Sequence, residues 1–170
     1  TTQTLFTRWF SPTAPEILAN DPEMKYMSPK MLYTWRQSKT RLLEGATYNE
    51  KQWKKFINIR ENILKKMDER DVLFLLGSDA PQVFNVPGFS LHRELKDMRK
   101  IGIGNYKLLQ AGTVNPAKFF GAKGKYGTII EGAAAEFILL SANPFTAIEN
   151  AQKIEGVMLG KTWLSKESIA

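Results

Sequence analysis

The sequence predicts an α/β region followed by a small appended β unit. Three observations carry this. A long amphipathic stretch over residues 48–70 runs into an unbroken apolar segment, Val72 to Leu76, whose period is no longer helical. A polar loop and a second amphipathic stretch follow, and helix, buried strand, loop, helix is the order of an α/β fold. After Gly121 the texture changes to short apolar stretches between glycines, which sets residues 122–170 apart from residues 1–121.

The elements follow in chain order. Pro15 after Ala14 and Pro29 after Ser28 suit first helical positions, so short helices are expected near 15–20 and 29–40. In 48–70, Trp53, Phe56, Ile57, Ile63, Leu64 and Met67 recur at helical spacing and are expected to form one buried stripe. Val72 to Leu76 is continuous rather than alternating, the pattern of a strand covered on both faces in a parallel sheet. Gly77-Ser78-Asp79-Ala80-Pro81 opens a loop reaching Gly88. Ser90 can cap a helix from Leu91, with Leu91, Leu95 and Met98 on its inner face. A helix over 106–111 capped by Asn105, and another from Asn115-Pro116 to Gly121, come next. Residues 124–132 and 136–140 read as strands and Asn143-Pro144 as a turn. Residues 157–159 and 162–164 form a hairpin around Gly160-Lys161. Four short strands bury little and call for partner strands.

Composition bounds the function classes. The chain has 170 residues, 43% hydrophobic and 24% charged, which is a globular profile with room for one sizeable core. A net charge of +7 and a pI near 9.6 raise a basic module that holds nucleic acid or another polyanion through the 51–66 helix. Glu50, Glu61, Asp68 and Glu69 interrupt those lysines, as on an ordinary solvated helix face. Val72 to Leu76, the longest apolar run, falls far short of the roughly 20 residues that cross a bilayer. The opening Thr-Thr-Gln-Thr-Leu-Phe lacks the charged and apolar regions of a signal peptide and has no Met, as expected of a segment that starts mid-protein. Zero cysteines remove disulfides and thiolate metal sites and suit a cytoplasmic protein. No phosphate-cradling loop, nucleophile elbow or dinucleotide fingerprint is present. Trp9, Phe10, Trp35 and Trp53 read as core aromatics and not as base-stacking platforms.

In α/β barrels the reactive groups gather at the carboxyl ends of strands. Asp79 stands just beyond such an end, where a carboxylate can hold a divalent cation and take a proton from water. A turn-forming Asp is the competing reading. His92, the only histidine, opens the helix after the same loop and is a candidate substrate-binding residue, although a lone histidine is more often structural. Glu94 reads as a surface carboxylate.

Five stretches occur in order: Leu-Leu-Gly-Ser-Asp-Ala-Pro (75–81), Pro-Gly-Phe-Ser-Leu-His-Arg-Glu-Leu (87–95), Ala-Gly-Thr-Val-Asn-Pro-Ala-Lys-Phe-Phe-Gly (111–121), Tyr-Gly-Thr-Ile-Ile-Glu-Gly (126–132), and the tail from Glu136 through Asn143-Pro144 to Ile154–Lys161. Together they resemble the carboxyl-terminal part of the amidohydrolase superfamily, in its imidazolonepropionase-like and prolidase-like branches, strongly over 70–165 and weakly before. The resemblance implies a (β/α)8 barrel whose last one or two βα units are present here (1–121), followed by part of a small β-sandwich (122–170). It implies hydrolysis of amide, cyclic amide or dipeptide-like C–N bonds by metal-activated water. Asp79 matches the catalytic Asp, as metal ligand and general base. The implied cofactor is a divalent metal, zinc above all, in the complete enzyme. The family's His-x-His pair and later ligand histidines are absent, so the isolated fragment is expected to be metal-free and inactive. Glu136 replaces the usual Asp before its strand, away from the active site. Thr2 to Phe6 is read as the remnant of an earlier strand. An inactive remnant of a barrel enzyme and the polyanion module stay open as alternatives. Expected partners are a small-molecule substrate, the missing amino-terminal portion of the protein and further copies of the chain; nucleic acid and membrane are not expected.

A lone parallel strand exposes its edges. The isolated 170-residue polypeptide is therefore expected to self-associate or to require the missing portion. Size-exclusion chromatography with light scattering checks this, and a stable compact monomer would contradict it.

Overall fold

The structure, a computed structural model, describes residues 1–169. Helix α1 (Gln3–Phe10) occupies the stretch read as a strand remnant, so that expectation is corrected. The reason lies at its ends. The Glu94 carboxylate accepts from the Gln3 and Thr4 backbone N–H groups at 2.9 and 2.8 Å, supplying partners that a helix start lacks. At the other end the Lys39 ammonium donates to the carbonyls of Arg8, Trp9 and Ser11 at 2.9, 2.6 and 2.5 Å. Both side chains are fully buried. Glu94 is therefore no surface carboxylate. Burial, with Arg8 adding to it, brings Lys39 down to about 8.

Helices α2 (Pro15–Ala19) and α3 (Pro29–Glu44) start at the expected prolines, and Ser28 Oγ accepts from the Met31 N–H. The 3₁₀ turn Pro22–Tyr26 lies between them. Helix α4 (Glu50–Asp68) is capped by Asn49, whose side chain accepts from Gln52 N–H. Its apolar stripe is only half covered: Trp53, Phe56, Ile57, Leu64 and Met67 are half-buried and Ile63 is exposed. Helix α1 and the later helix α5 (Phe89–Ile101) pack against it, and Leu64 and Met67 reach the main core. Phe10 and Trp53 stack at 3.7 Å, with Phe6 and Phe56 closing the cluster.

Residues 72–80 form neither helix nor strand and pair with no strand among the described residues, which corrects the expected sheet strand. Their backbone is held by other groups. Leu76 N–H donates to Ala111 O, Asn115 Nδ2 donates to Phe74 O, and the Thr1 amine donates to Leu75 O. Phe74 is buried, whereas Val72 and Leu73 are 41% and 38% exposed.

Helix α5 turns Leu95 and Met98 inward as expected, leaving Leu91 exposed. Its N-cap is Gly88, not a capping Ser90. Helix α6 (Asn105–Gly112) has no side-chain cap; Asn105 instead donates to Phe145 O at 2.9 Å. Helix α7 is Val114–Phe119. Phe74, Leu95, Met98, Ile103, Leu108, Ala111 and Ile148 form the main core. A second core joins Leu18, Ala19, Met24 and Trp35 to Phe84 and Val86.

The appended unit has three antiparallel strands in the order β1 (Glu136–Leu140), β2 (Ile154–Leu159), β3 (Thr162–Ser165). The expected strand over 124–132 is absent. Gly124, Gly127 and Gly132 take positive φ there and break the extension, and a Cβ on Gly127 would lie 2.4 Å from Thr113 O. The hairpin at Gly160-Lys161 and the Asn143-Pro144 turn are present. Trp163 lies across Gly156, where any Cβ would overlap its ring. Among the described residues no helix is long and apolar enough to cross a membrane.

The accessible surface is 10,704 Å² for a 19.3 kDa chain. A compact monomer of that mass exposes roughly 8,500 Å², so about a quarter more is left open. Glu94→Ala, which strands two buried N–H donors, is expected to destabilise the protein by about 3 kcal/mol, and Glu94→Gln by roughly half that. Urea unfolding followed by circular dichroism measures the difference.

Candidate functional site

Asp79 closes the irregular segment that follows α4 in a left-handed conformation, φ 55°, and its side chain is exposed. Such a backbone is unfavourable for a residue with a Cβ, and the neighbours hold it. Ser78 O accepts from Asn85 Nδ2 at 3.1 Å, and Ser78 Oγ accepts from Ser90 Oγ at 2.8 Å. On the other side Gln82 Nε2 donates to Asp79 Oδ2 at 2.9 Å, while Asn85 N–H donates to Gln82 O at 2.6 Å. Ser78 is buried, and Asn85 and Ser90 are fully so. Phe84, at φ 61° and fully buried, packs edge-on to Trp35.

His92 lies elsewhere. It lines an open cavity of about 510 Å³ with Glu23, Phe89, Arg93, Lys96 and Gln152, and Asp79 is not part of that wall. His92 Nδ1 is buried with no hydrogen-bond partner. Burial pushes the imidazole below its ordinary 6.5, and Lys96 one turn on adds to this. Arg93 reaches Asp21 at 3.1 Å and Glu23 more closely, while Arg8 meets the same Asp21 at 2.6 Å. The two residues singled out in the sequence are therefore not brought into one site. Ser78, Asn85 and Ser90, which fix Asp79, were not picked out; the only sequence hint was a serine directly before the candidate Asp.

Among the described residues no three His, Cys, Asp or Glu side chains come together as a metal cage. Asp79 can offer one exposed carboxylate to a cation.

The amidohydrolase family model matches residues 37–163, and the chain belongs to that family. No curated protein sequence matches it. Among solved structures, a bottromycin amidohydrolase is similar at TM-score 0.74 and 17% identity, over 99% of this chain and 37% of that one. A second amidohydrolase is similar at 0.56 and 17%, over 74% and 32%. An Xaa-Pro dipeptidase with methionine bound in its active site is similar at 0.54 and 20%, over 89% and 32%. The chain thus has the fold of part of such enzymes and spans about a third of their length.

The single imidazole gives a clean probe. Its NMR titration midpoint is expected below 6.5. The folded state then binds the proton less readily than the unfolded one, so this residue's contribution to stability falls as pH drops below 6.5 and levels off beneath the folded pKa. A midpoint at or above 6.5 would contradict the burial of the ring.

Proposed function

We propose that this chain is the part of a metal-dependent amidohydrolase that carries its catalytic carboxylate, Asp79. The observation behind this is the placement of Asp79, exposed in the loop just past the apolar run 72–76 and clamped on both sides, in a chain of the amidohydrolase family. Residues 1–121 close a (β/α)8 barrel and 122–170 belong to a small β-sandwich. The apolar run at 72–76, which has no strand partner among the described residues, and the surplus exposed surface support this, since both suit strands from the rest of the protein.

The reaction is hydrolysis of a C–N bond in an amide, cyclic amide or dipeptide. The similar Xaa-Pro dipeptidase favours a dipeptide-like small molecule. A divalent cation, zinc by the family resemblance, supplies Lewis-acid activation of the hydrolytic water. Asp79 contributes one oxygen to that cation, accepts the proton of the attacking water and returns it to the departing amine. His92, outside the Asp79 loop, is kept only as a substrate contact reached through the 510 Å³ cavity. The isolated chain is inactive because it holds one ligand. A polyanion-binding role has less support, because Lys54 and Lys66 of α4 are paired with Glu50 and Glu69.

In the full-length protein, assayed with Xaa-Pro dipeptides and a divalent cation, Asp79→Ala is expected to lower kcat by about 10³-fold or more without unfolding the protein. Near-normal turnover by this variant would refute the role.

A further inference from the structure

We propose that Ser90 and Asn85 are positioning residues that hold Asp79 in its working orientation through Ser78. This rests on the reading of Asp79 as the catalytic carboxylate.

A left-handed backbone at a residue with a Cβ costs on the order of 1–2 kcal/mol. It persists only where the surroundings impose it. Here the imposition comes from two polar side chains with no exposure to water at all, Asn85 and Ser90. Both direct their hydrogen bonds at the residue before Asp79: Asn85 Nδ2 to Ser78 O, and Ser90 Oγ to Ser78 Oγ. Burying a polar side chain is unfavourable without such a partner, so these bonds are part of what the loop is built around. A purely apolar loop anchor already exists in Phe84 and Val86. Phe84 directly precedes Asn85, so its burial against Trp35 fixes where the amide sits. The two anchors differ in what they control. The apolar one keeps the loop docked, and the polar one sets the direction in which the chain leaves Ser78. That direction aims the Asp79 carboxylate, whose Oδ2 is steadied by Gln82. A proton acceptor displaced by about 1 Å loses up to about 100-fold in rate.

The test uses full-length protein carrying Ser90→Ala, Asn85→Ala, or Ser78→Ala, the last removing the hydroxyl pair from its other end. In metal-free protein the carbon-13 resonance of the Asp79 carboxyl group and its pH titration are followed by NMR. In metal-loaded protein kcat and KM are measured with Xaa-Pro dipeptides. Each variant is expected to move the Asp79 resonance and to lower kcat by about 10–100-fold with KM nearly unchanged. The double variant Ser78→Ala/Ser90→Ala is expected to lose no more than either single one. An unmoved Asp79 resonance in folded Ser90→Ala and Ser78→Ala protein overturns the proposal, as does an unchanged kcat when Asp79→Ala is inactive. Activity retained by Asp79→Ala would instead remove the catalytic reading, and the NMR result would still decide whether the clamp orients this side chain.

Discussion

Helix α1 is held at both ends by buried charge, and the arrangement of the other elements follows from this. Glu94 meets the first backbone N–H groups and Lys39 the last carbonyls, so the negative group sits at the positive end of the helix dipole and the positive group at its negative end. An eight-residue helix is too short to persist alone in water. With its ends fixed to α5 and α3, α1 becomes the link between them. Arg8 then reaches Asp21, Arg93 joins Asp21 and Glu23, and the turn before α3 is tied to α5. That turn carries Met24 into the core that holds Phe84. The path from Glu94 to the Asp79 loop is thus continuous.

The same path explains what could be read from the sequence. Helices α2 and α3 were legible because prolines and Ser28 mark their starts, and α4 because its apolar residues recur at helical spacing; its Asn49 cap was not read. The loop carrying Asp79 was legible because an apolar run ends in Gly77. The burial of α5's polar residues was not. Ser90, Arg93, Glu94 and Asp97 fall at spacings 0, 3, 4 and 7, one helix face, and hydropathy assigns such a stripe to solvent. In the structure Ser90 and Glu94 are fully buried, and Arg93 and Asp97 are tied to Asp21 and Thr4. Helix α5 is amphipathic with both faces in use, apolar Leu95 and Met98 to one core and polar groups to three other segments. Nothing local to 89–101 reveals that, because the partners lie up to 93 residues away.

The failures at 72–76 and 124–132 have a different cause. Continuous apolar sequence encodes a strand only where neighbours supply hydrogen bonds, and a five-residue run cannot create them. In this chain the places beside it are taken by Thr1, Ala111 and Asn115, which satisfy three backbone groups and leave Val72 and Leu73 facing outward. The three-stranded sheet shows the same condition, with Phe137, Ile138 and Leu139 all exposed along β1.

These two observations bear on how Asp79 is held. A loop at the end of a strand is ordinarily kept in place by the sheet behind it. Here no sheet backs the loop among the described residues, yet Asp79 is still constrained, from the helical side, by Ser90 on α5, by Asn85 and by the Phe84 contact with α3. The contacts that hold the Asp79 loop are thus internal to the described residues. On the proposed reading, a carboxylate already held in this way loses less freedom when a cation and substrate bind beside it.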